Sequence, residues 1–227
     1  MVERIGQQNP DWAAADRYIA DRLLGDDAVL QAALAANAVG GLPDIDVSPA
    51  QGRMLHLFAR MANARRILEI GTLGGYSTIE LARALPADGT LISLEIDPHH
   101  ADVARANIAK AGLGDRVDVR TGAALDTLAT MVAAKEGPFD LVFIDADKQN
   151  NPAYVRAALA MSRPGTTIIV DNVIREGGVL DVASDDERIQ GTRRLFEAVG
   201  AEPRLTATAV QTVGVKKWDG FLIAVVD

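Results

Sequence analysis

Apolar residues at helical spacing dominate the first part of the chain. Between Asp11 and Leu24 they recur every three or four residues, which predicts an amphipathic helix. A second helical pattern covers Asp26–Asn37, and a glycine-rich stretch then interrupts it. Ser48 as a cap and Pro49 in the first turn predict that a third helix begins there. The N-terminal region is therefore expected to be helical.

Further along, short apolar runs alternate with helical segments. The predicted strands are Arg66–Ile70, Thr90–Ile96, Val117–Thr121, Phe139–Ile144 and Thr166–Val170. The predicted helices are Ser77–Leu85, Pro98–Ala111, Ala124–Ala134, Ala153–Met161 and Glu187–Val199. This alternation predicts right-handed crossovers and a parallel sheet with helices on both faces. The last two runs, Leu205–Val210 and Gly220–Val226, have no helix between them and predict an antiparallel hairpin at or near one sheet edge.

The predicted architecture is a doubly wound, Rossmann-like α/β sheet in a single domain spanning residues 1–227. Residues 1–46 are expected to form a helical cap and residues 47–227 the core. Hydrophobic residues make up 48% of the chain and aromatic residues only 4%. Such a composition is expected of a core in which aliphatic helices cover a parallel sheet.

Composition and charge exclude several classes of function. A formal net charge of −8 without a basic run argues against nucleic-acid binding, because phosphate contacts need clustered Lys and Arg. The chain has no cysteine, which removes disulfides, zinc–thiolate sites and thiol nucleophiles. Neither a signal-peptide core nor a run of about 18 apolar residues is seen, so a cytoplasmic protein without a membrane partner is expected.

Polar and glycine residues end the predicted strands. Doubly wound sheets bind ligands at the carboxyl ends of their strands, near the switch in strand order. The residues at these ends are Glu69-Ile70-Gly71, Glu95-Ile96-Asp97, Gly122-Ala123-Ala124, Asp145-Ala146-Asp147-Lys148 and Asp171-Asn172. This clustering predicts a ligand site rather than additional core.

The loop from Glu69 to Ser77 carries glycines in the spacing G-x-x-G-G. The dinucleotide fingerprint has a different spacing, G-x-G-x-x-G. A carboxylate at Glu69 would repel a pyrophosphate and suits a cofactor with an amino group and a sulfonium. Glu95, 24 residues after Gly71, is placed to accept ribose hydroxyls. A glycine-rich turn without a ligand is the alternative for the loop, and a solvated carboxylate is the alternative for Glu95.

Three oxygen donors follow the fourth and fifth predicted strands. Asp145, Asp171 and Asn172, without His or Cys, favour a hard cation, with Mg²⁺ first and Mn²⁺ or Ca²⁺ as alternatives. Three protein oxygens on an octahedral ion leave room for two adjacent substrate oxygens and a water, which indicates a vicinal diol or diphenol. Lys148 is the predicted general base. Its alternative role is an ion pair with Asp145 or Asp147.

These motifs together resemble the cation-dependent O-methyltransferases, which include catechol O-methyltransferase and plant caffeoyl-CoA O-methyltransferase. The resemblance looks closest to the bacterial members and runs from Val47 to the C-terminus. It rests on Leu68–Thr72 with Gly75–Ser77, on Leu94–Asp97, on Gly122–Ala124, on Phe143–Lys148 and on Asp171-Asn172. It implies S-adenosylmethionine as cofactor, a divalent cation and a small hydroxylated aromatic substrate. Helices before the cofactor fold cover the site or join subunits in relatives, so a homodimer is expected.

The resemblance also implies roles for individual residues. For the cofactor these are Val47 and Glu69 at the methionine part, Gly71 and Thr72 in the loop, Ser77 near the carboxylate, Glu95 at the ribose, Ala124 beside the adenine, and Asp145 and Asp147 after the fourth strand. Asp145, Asp171 and Asn172 match the metal ligands. Lys148 matches the proposed base, so the expected catalytic residues are Lys148 and Asp145.

The chain departs from the plant pattern in two places. Asn151-Pro152 stands where plant enzymes have a tyrosine, and Val173–Gly178 lacks their Trp-Asn pair. A CoA thioester is therefore not favoured as substrate. The alternatives are an NAD-dependent oxidoreductase, whose glycine spacing would differ, a base-modifying nucleic-acid methyltransferase, and a protein that binds the cofactor without catalysis. Glu95 does not separate the first of these from a methyltransferase.

Overall fold

A mostly parallel sheet lies at the centre of the computed structural model, which describes residues 10–227. Its strands are β1 (Arg66–Ile70), β2 (Thr90–Glu95), β3 (Val117–Thr121), β4 (Leu141–Ile144), β5 (Thr167–Asp171), β6 (Leu205–Gly214) and β7 (Lys217–Val226). The helices are α1 (Pro10–Ile19), α2 (Ala28–Val39), α3 (Pro49–Met61), α4 (Tyr76–Ala84), α5 (Pro98–Lys110), α6 (Ala124–Ala133), α7 (Asn151–Ala160) and α8 (Glu187–Gly200). A π-helix covers Ala20–Leu24, and 3₁₀ turns cover Lys148–Asn150 and Gly178–Leu180.

The strand order β3-β2-β1-β4-β5-β7-β6 confirms the doubly wound prediction. The pairs from β3 to β5 are parallel, whereas β7 pairs antiparallel with both β5 and β6. The chain moves outward from β1 to β3 in one direction and from β4 to β5 in the other. The switch point therefore lies between β1 and β4, where a doubly wound sheet binds its ligand.

Neighbouring residues of the central strands are buried on opposite faces of the sheet. Ile67 lies in one core cluster and Leu68 in the other, and Phe143 and Val142 of β4 divide in the same way. Successive strand side chains point to opposite faces, so a strand covered on both must be apolar throughout. This is why β4 is apolar throughout and why the polar residues of β1 and β5 lie at the strand ends, apart from the buried Glu69.

Several predicted boundaries differ from the structure by one or two residues, and those of the first helix and the C-terminal hairpin differ by more. The first helix stays α-helical only to Ile19 and continues as the π-helix. Helix α7 begins at Asn151 rather than Ala153, because Pro152 is compatible with the first turn of a helix. The C-terminal hairpin is longer than predicted, since β6 is an edge strand and most of its residues are exposed. A strand with exposed faces does not need an apolar pattern.

The N-terminal helical segment packs into the core. Leu30 and Ala33 of α2 lie in the same buried cluster as Ile79 of α4 and Ile108 of α5. The first nine residues of the predicted cap lie outside the described residues, and the division at residue 46 and the homodimer stay predictions. Across residues 10–227, no helix combines the length and apolarity needed to cross a membrane.

Candidate active site

Four of the predicted site residues lie in one row at the carboxyl edge of the sheet. Asp145 and Asp171 each come one step after a paired residue, since Ile144 of β4 pairs with Val170 of β5. Gly71 and Glu95 likewise follow a pair between β1 and β2. Adjacent strands lie about 4.8 Å apart, so these residues are neighbours across the sheet. The row spans the switch point.

Gly71 brings the glycine loop against the end of β4. Its φ is +102°, and a Cβ built on it would lie 2.1 Å from the carbonyl oxygen of Asp145. The amide of Gly71 donates to Leu94 O at 3.0 Å, and the amide of Asp145 donates to Ile70 O at 2.8 Å. The loop therefore begins at a close backbone contact that only glycine permits.

We expect Gly71→Ala to destabilise the protein by about 3 kcal/mol or more, because it adds a backbone clash to a left-handed conformation. Gly165→Ala is the matched control: its φ is +88°, but nothing lies within 4 Å of the place that a Cβ would take. The control should lose only about 1–2 kcal/mol. Denaturant unfolding of both variants measures the difference, and equal losses would contradict the close contact.

Glu69 is a buried carboxylate that holds the end of the glycine loop in place through hydrogen bonds. None of its surface is exposed, and its carboxylate accepts hydrogen bonds from Ser77 Oγ at 2.6 Å, Thr78 Oγ1 at 2.5 Å and Ser93 Oγ at 2.6 Å. Burial raises the pKa of Glu69 to about 7, while the three hydroxyls oppose that shift and the charge of Asp145 adds to it. Its carboxylate thus joins β1 to β2 and to the first turn of α4.

Glu95 fastens the other side of the loop. One of its oxygens accepts from the amides of Thr72 at 3.2 Å and Leu73 at 2.8 Å. The second oxygen accepts from the amide of Asp97 at 3.0 Å. Asp97 caps α5 by accepting from the amides of His99 and His100. Glu95 is buried and bonded to the loop, so the alternative of a solvated carboxylate is wrong.

Lys148 and Asp145 form an ion pair. Lys148 begins the 3₁₀ turn that follows β4, and its Nζ lies 2.5 Å from Asp145 Oδ1. The lysine side chain is 8% exposed and the aspartate side chain 22% exposed, so water screens the pair only partly. The ion-pair alternative for Lys148 is present in the structure, and its role as a base stays a prediction.

Asp171 lies next to this ion pair and is the most buried of the three carboxylates in the row. Its Oδ1 accepts from the amide of Asn172 at 2.8 Å, and its Oδ2 accepts from Gln51 Nε2 at 2.6 Å. Burial and, next, the charge of Asp145 raise the pKa of Asp171 to about 7, which Lys148 opposes. Lys148 pairs with Asp145 and acts on Asp171 only through its charge, so negative charge at these two carboxylates is poorly compensated.

Gln51 was not identified from the sequence. It lies on α3, 120 positions before Asp171, and no local spacing relates them. The available signal is its place on the helix, because Leu55 and Ala59 continue the same stripe and are buried. A polar residue in a buried stripe needs a partner. That partner is a predicted metal ligand.

The donor set of Asp145, Asp171 and Asn172 suits a hard cation. Two carboxylates and an amide are oxygen ligands of the kind that Mg²⁺ takes, and the poorly compensated charge favours a divalent ion. Within residues 10–227 no group of three or more His, Asp and Glu side chains is arranged to hold an ion. The predicted set contains only two carboxylates. Asn172 has a φ of +57°, a conformation that asparagine tolerates better than most residues.

The other predicted cofactor residues surround the same edge with different exposure. Val47 is buried in the core cluster that contains α2, and Ser77 lies in the first turn of α4. Thr72 Oγ1 and Ser93 Oγ lie 2.6 Å apart. Ala124, half-buried, is the first residue of α6. Asp147 is exposed and accepts hydrogen bonds from Tyr154 Oη and Asn150 Nδ2.

A glycine loop after β1, an acidic residue ending β2 and a switch point beside them define a doubly wound, Rossmann-like cofactor-binding fold. The antiparallel β7, inserted between β5 and β6, distinguishes this sheet from an all-parallel one. The candidate site occupies the position that this class uses for its cofactor.

Comparisons with known proteins define the family. A family model described as "O-methyltransferase" matches residues 25–224. A catechol O-methyltransferase of Mycobacterium tuberculosis is 52% identical over 96% of this chain and 98% of its own. The Bacillus cereus O-methyltransferase in complex with SAH has a TM-score of 0.94 at 56% identity, covering 96% of this chain and 99% of its own. The Streptomyces achromogenes O-methyltransferase TomG, involved in tomaymycin synthesis and in complex with SAM, has a TM-score of 0.92 at 44% identity, covering 100% and 99%.

The chain belongs to the O-methyltransferase family. This confirms the family and the enzyme class that the strand-end motifs predicted. It also sets aside the oxidoreductase alternative, whose glycine spacing the loop lacks.

Proposed function

We propose that this enzyme transfers a methyl group from S-adenosylmethionine to one hydroxyl of a catechol-like molecule held at a divalent cation. The observation that carries the proposal is the position of Asp145 in the row at the sheet edge. Asp145 contacts Gly71 of the glycine loop, pairs with Lys148 and lies next to Asp171 on the neighbouring strand. The relatives described above, which include a catechol O-methyltransferase and complexes with SAH and SAM, support it.

The cofactor belongs at the loop between β1 and α4. Glu95 has the acidic character that ribose hydroxyls require, and its carboxylate is already oriented by the amides of Thr72 and Leu73. Ala124 begins α6 at the same edge of the sheet and is assigned to the adenine. Glu69 has an indirect role, because its hydrogen bond with Ser77 fixes the first turn of α4. S-adenosylmethionine bound there supplies a methyl group activated by its sulfonium.

The cation belongs with Asp145, Asp171 and Asn172. Burial and, next, the charge of Asp145 raise the pKa of Asp171, so its ionised form carries excess negative charge that Lys148 only partly opposes, which supports this assignment. A divalent ion would remove this excess charge and supply Lewis acidity to a hydroxyl oxygen. Gln51 orients the carboxylate of Asp171 from α3, which keeps that ligand fixed before any ion arrives.

Lys148 is assigned the role of the general base that takes the proton of the reacting hydroxyl. Its Nζ is buried beside Asp145, and none of the residues ending the strands is a histidine. A buried amine near neutral pH serves as a base when it can lose its own proton. Methyl transfer then needs alignment of the acceptor oxygen, which the fixed row of side chains supplies.

The loop that follows Asn172 is held against β7. Asp219 of β7 accepts hydrogen bonds from the amides of Ile174 and Arg175, both at 3.0 Å. The ring of Trp218 packs against Gly177, where a Cβ would lie 2.8 Å from it. The loop is thus fastened to the sheet directly after the proposed cation ligands Asp171 and Asn172.

Metal removal tests the function. We expect purified protein to methylate catechol with S-adenosylmethionine and Mg²⁺, to stop after chelation with EDTA, and to recover when excess Mg²⁺ or Mn²⁺ is added. Mass spectrometry of the acceptor measures methylation, and phenol serves as the control acceptor with one hydroxyl. Full turnover in metal-free protein would overturn the cation, and equal rates for phenol and catechol would overturn the vicinal-oxygen requirement.

A further inference from the structure

A buried polar network joins the N-terminal helix α2 to the glycine loop. Asn37 of α2 and Asn107 of α5 are each only 3% exposed, although both side chains are polar. Buried amides of this kind are retained where each end has a partner. The partners of these two lie on four separate segments of the chain.

The network uses both ends of the Asn37 side chain. Asn107 Nδ2 donates to Asn37 Oδ1 at 3.0 Å, and Asn37 Nδ2 donates to the carboxylate of Asp46 at 3.1 and 3.3 Å. Asn107 Nδ2 also donates to the carbonyl oxygen of Gly74 at 2.9 Å. The amide orientation of Asn37 is therefore determined, because Asp46 needs a donor and Asn107 needs an acceptor.

Gly74 rests directly on this network. A Cβ built on Gly74 would lie 1.9 Å from Asn37 Oδ1, so the loop backbone is in contact with the Asn37 amide. The opposite end of the network, Asp46, immediately precedes Val47, which is buried in the same core cluster as α2. The N-terminal segment thus touches the loop and the residue before α3 at once.

We propose that Asn37 is a positioning residue for the cofactor: it sets the position of the glycine loop through Gly74 and Asn107, and that of the segment before α3 through Asp46. The N-terminal segment is then part of the cofactor site rather than a separate cover. This inference rests on the proposed function only in taking the glycine loop as the place where the cofactor binds.

A charge exchange tests the network. Asn37→Asp removes the donor to Asp46 and places two carboxylates together. We therefore expect the affinity for S-adenosylhomocysteine (SAH), the demethylated cofactor, to fall by about tenfold or more. Asn37→Asp combined with Asp46→Asn restores complementary groups, because the new carboxylate accepts from Asn107 and from the new amide. Isothermal titration calorimetry with SAH should find the double variant within about threefold of the wild type. Gln31→Glu, on the exposed face of α2, is the charge-matched control.

The outcomes separate positioning from general destabilisation. Positioning predicts that Asn37→Asp raises the KM for S-adenosylmethionine while the KM for the acceptor stays within about twofold. Should Asn37→Asp not fold, the double variant decides: recovered folding with SAH binding like the wild type supports the network. Unchanged SAH affinity in Asn37→Asp, or a folded double variant that stays weak, overturns it. A wild-type protein that binds no SAH would instead overturn the proposed function.

Discussion

Asp171→Asn should lower the rate of methyl transfer by about a thousandfold or more while SAH still binds. The carboxylate lies beside Asp145 at the carboxyl edge, and loss of one charged ligand removes the several kcal/mol that a Lewis-acid cation contributes. SAH binding should change little, because β4 lies between β5 and the strand that carries the glycine loop. Asp145→Asn should be equally inactive but should also disturb the loop, since the backbone of Asp145 contacts Gly71.

Ion binding by the two aspartate variants can be measured independently of turnover. Electron paramagnetic resonance with Mn²⁺ reports ion binding, and both variants should bind it much more weakly than the wild type. Asp115→Asn is the matched control, because Asp115 is exposed and precedes β3, at the opposite edge of the sheet. Wild-type turnover in Asp171→Asn would remove this residue from the site.

Lys148 variants should separate the two roles that its position allows. As a base, Lys148 contributes about 10²–10⁴-fold to the rate, so Lys148→Met should lose that factor. Lys148→Arg keeps a positive charge for Asp145 but cannot release a proton near neutral pH, so it should be equally impaired. If the lysine served only as an ion-pair partner, the arginine variant would retain most of its activity.

Binding measurements complete the Lys148 test. Neither substitution removes an oxygen donor, so Mn²⁺ affinity should hold, and Lys148→Met should bind the ion at least as tightly because a competing cation has left Asp145. SAH affinity should also hold. An active arginine variant with normal Mn²⁺ binding would show that the ion pair in the structure is the whole function of this residue.

The parts of the fold predicted from sequence are those with a periodic pattern. Strands such as β1 and β4 are buried on both faces, so their apolar runs identify them without reference to the rest of the chain. The placement of Asp145 beside Asp171 followed because parallel strands end at the same edge of a sheet. The full length of β6 was missed because an exposed edge strand carries no apolar pattern.

Long-range polar contacts had no such pattern. Gln51 reaches Asp171 and Asn37 reaches Asn107 across large separations in sequence, and only the folded chain places them together. The role of Lys148 stayed open for a different reason. An ion pair and a general base need the same residue at the same distance, so spacing cannot choose between them.

The switch point also divides the chain in its linear order. Most residues assigned to the methyl donor lie between α2 and the start of α6, and only Asp145 and Asp147 of that set come later. Lys148, Asp171 and the loop fastened by Asp219 also follow α6. A single genetic crossover in the connection between α6 and β4 would therefore exchange acceptor preference between family members and leave the glycine loop, Glu95 and Ala124 of the donor site unchanged. Such recombinants must preserve the contacts that cross this boundary, among them the hydrogen bond from Gln51 to Asp171 and the close approach of Gly71 to the backbone of Asp145.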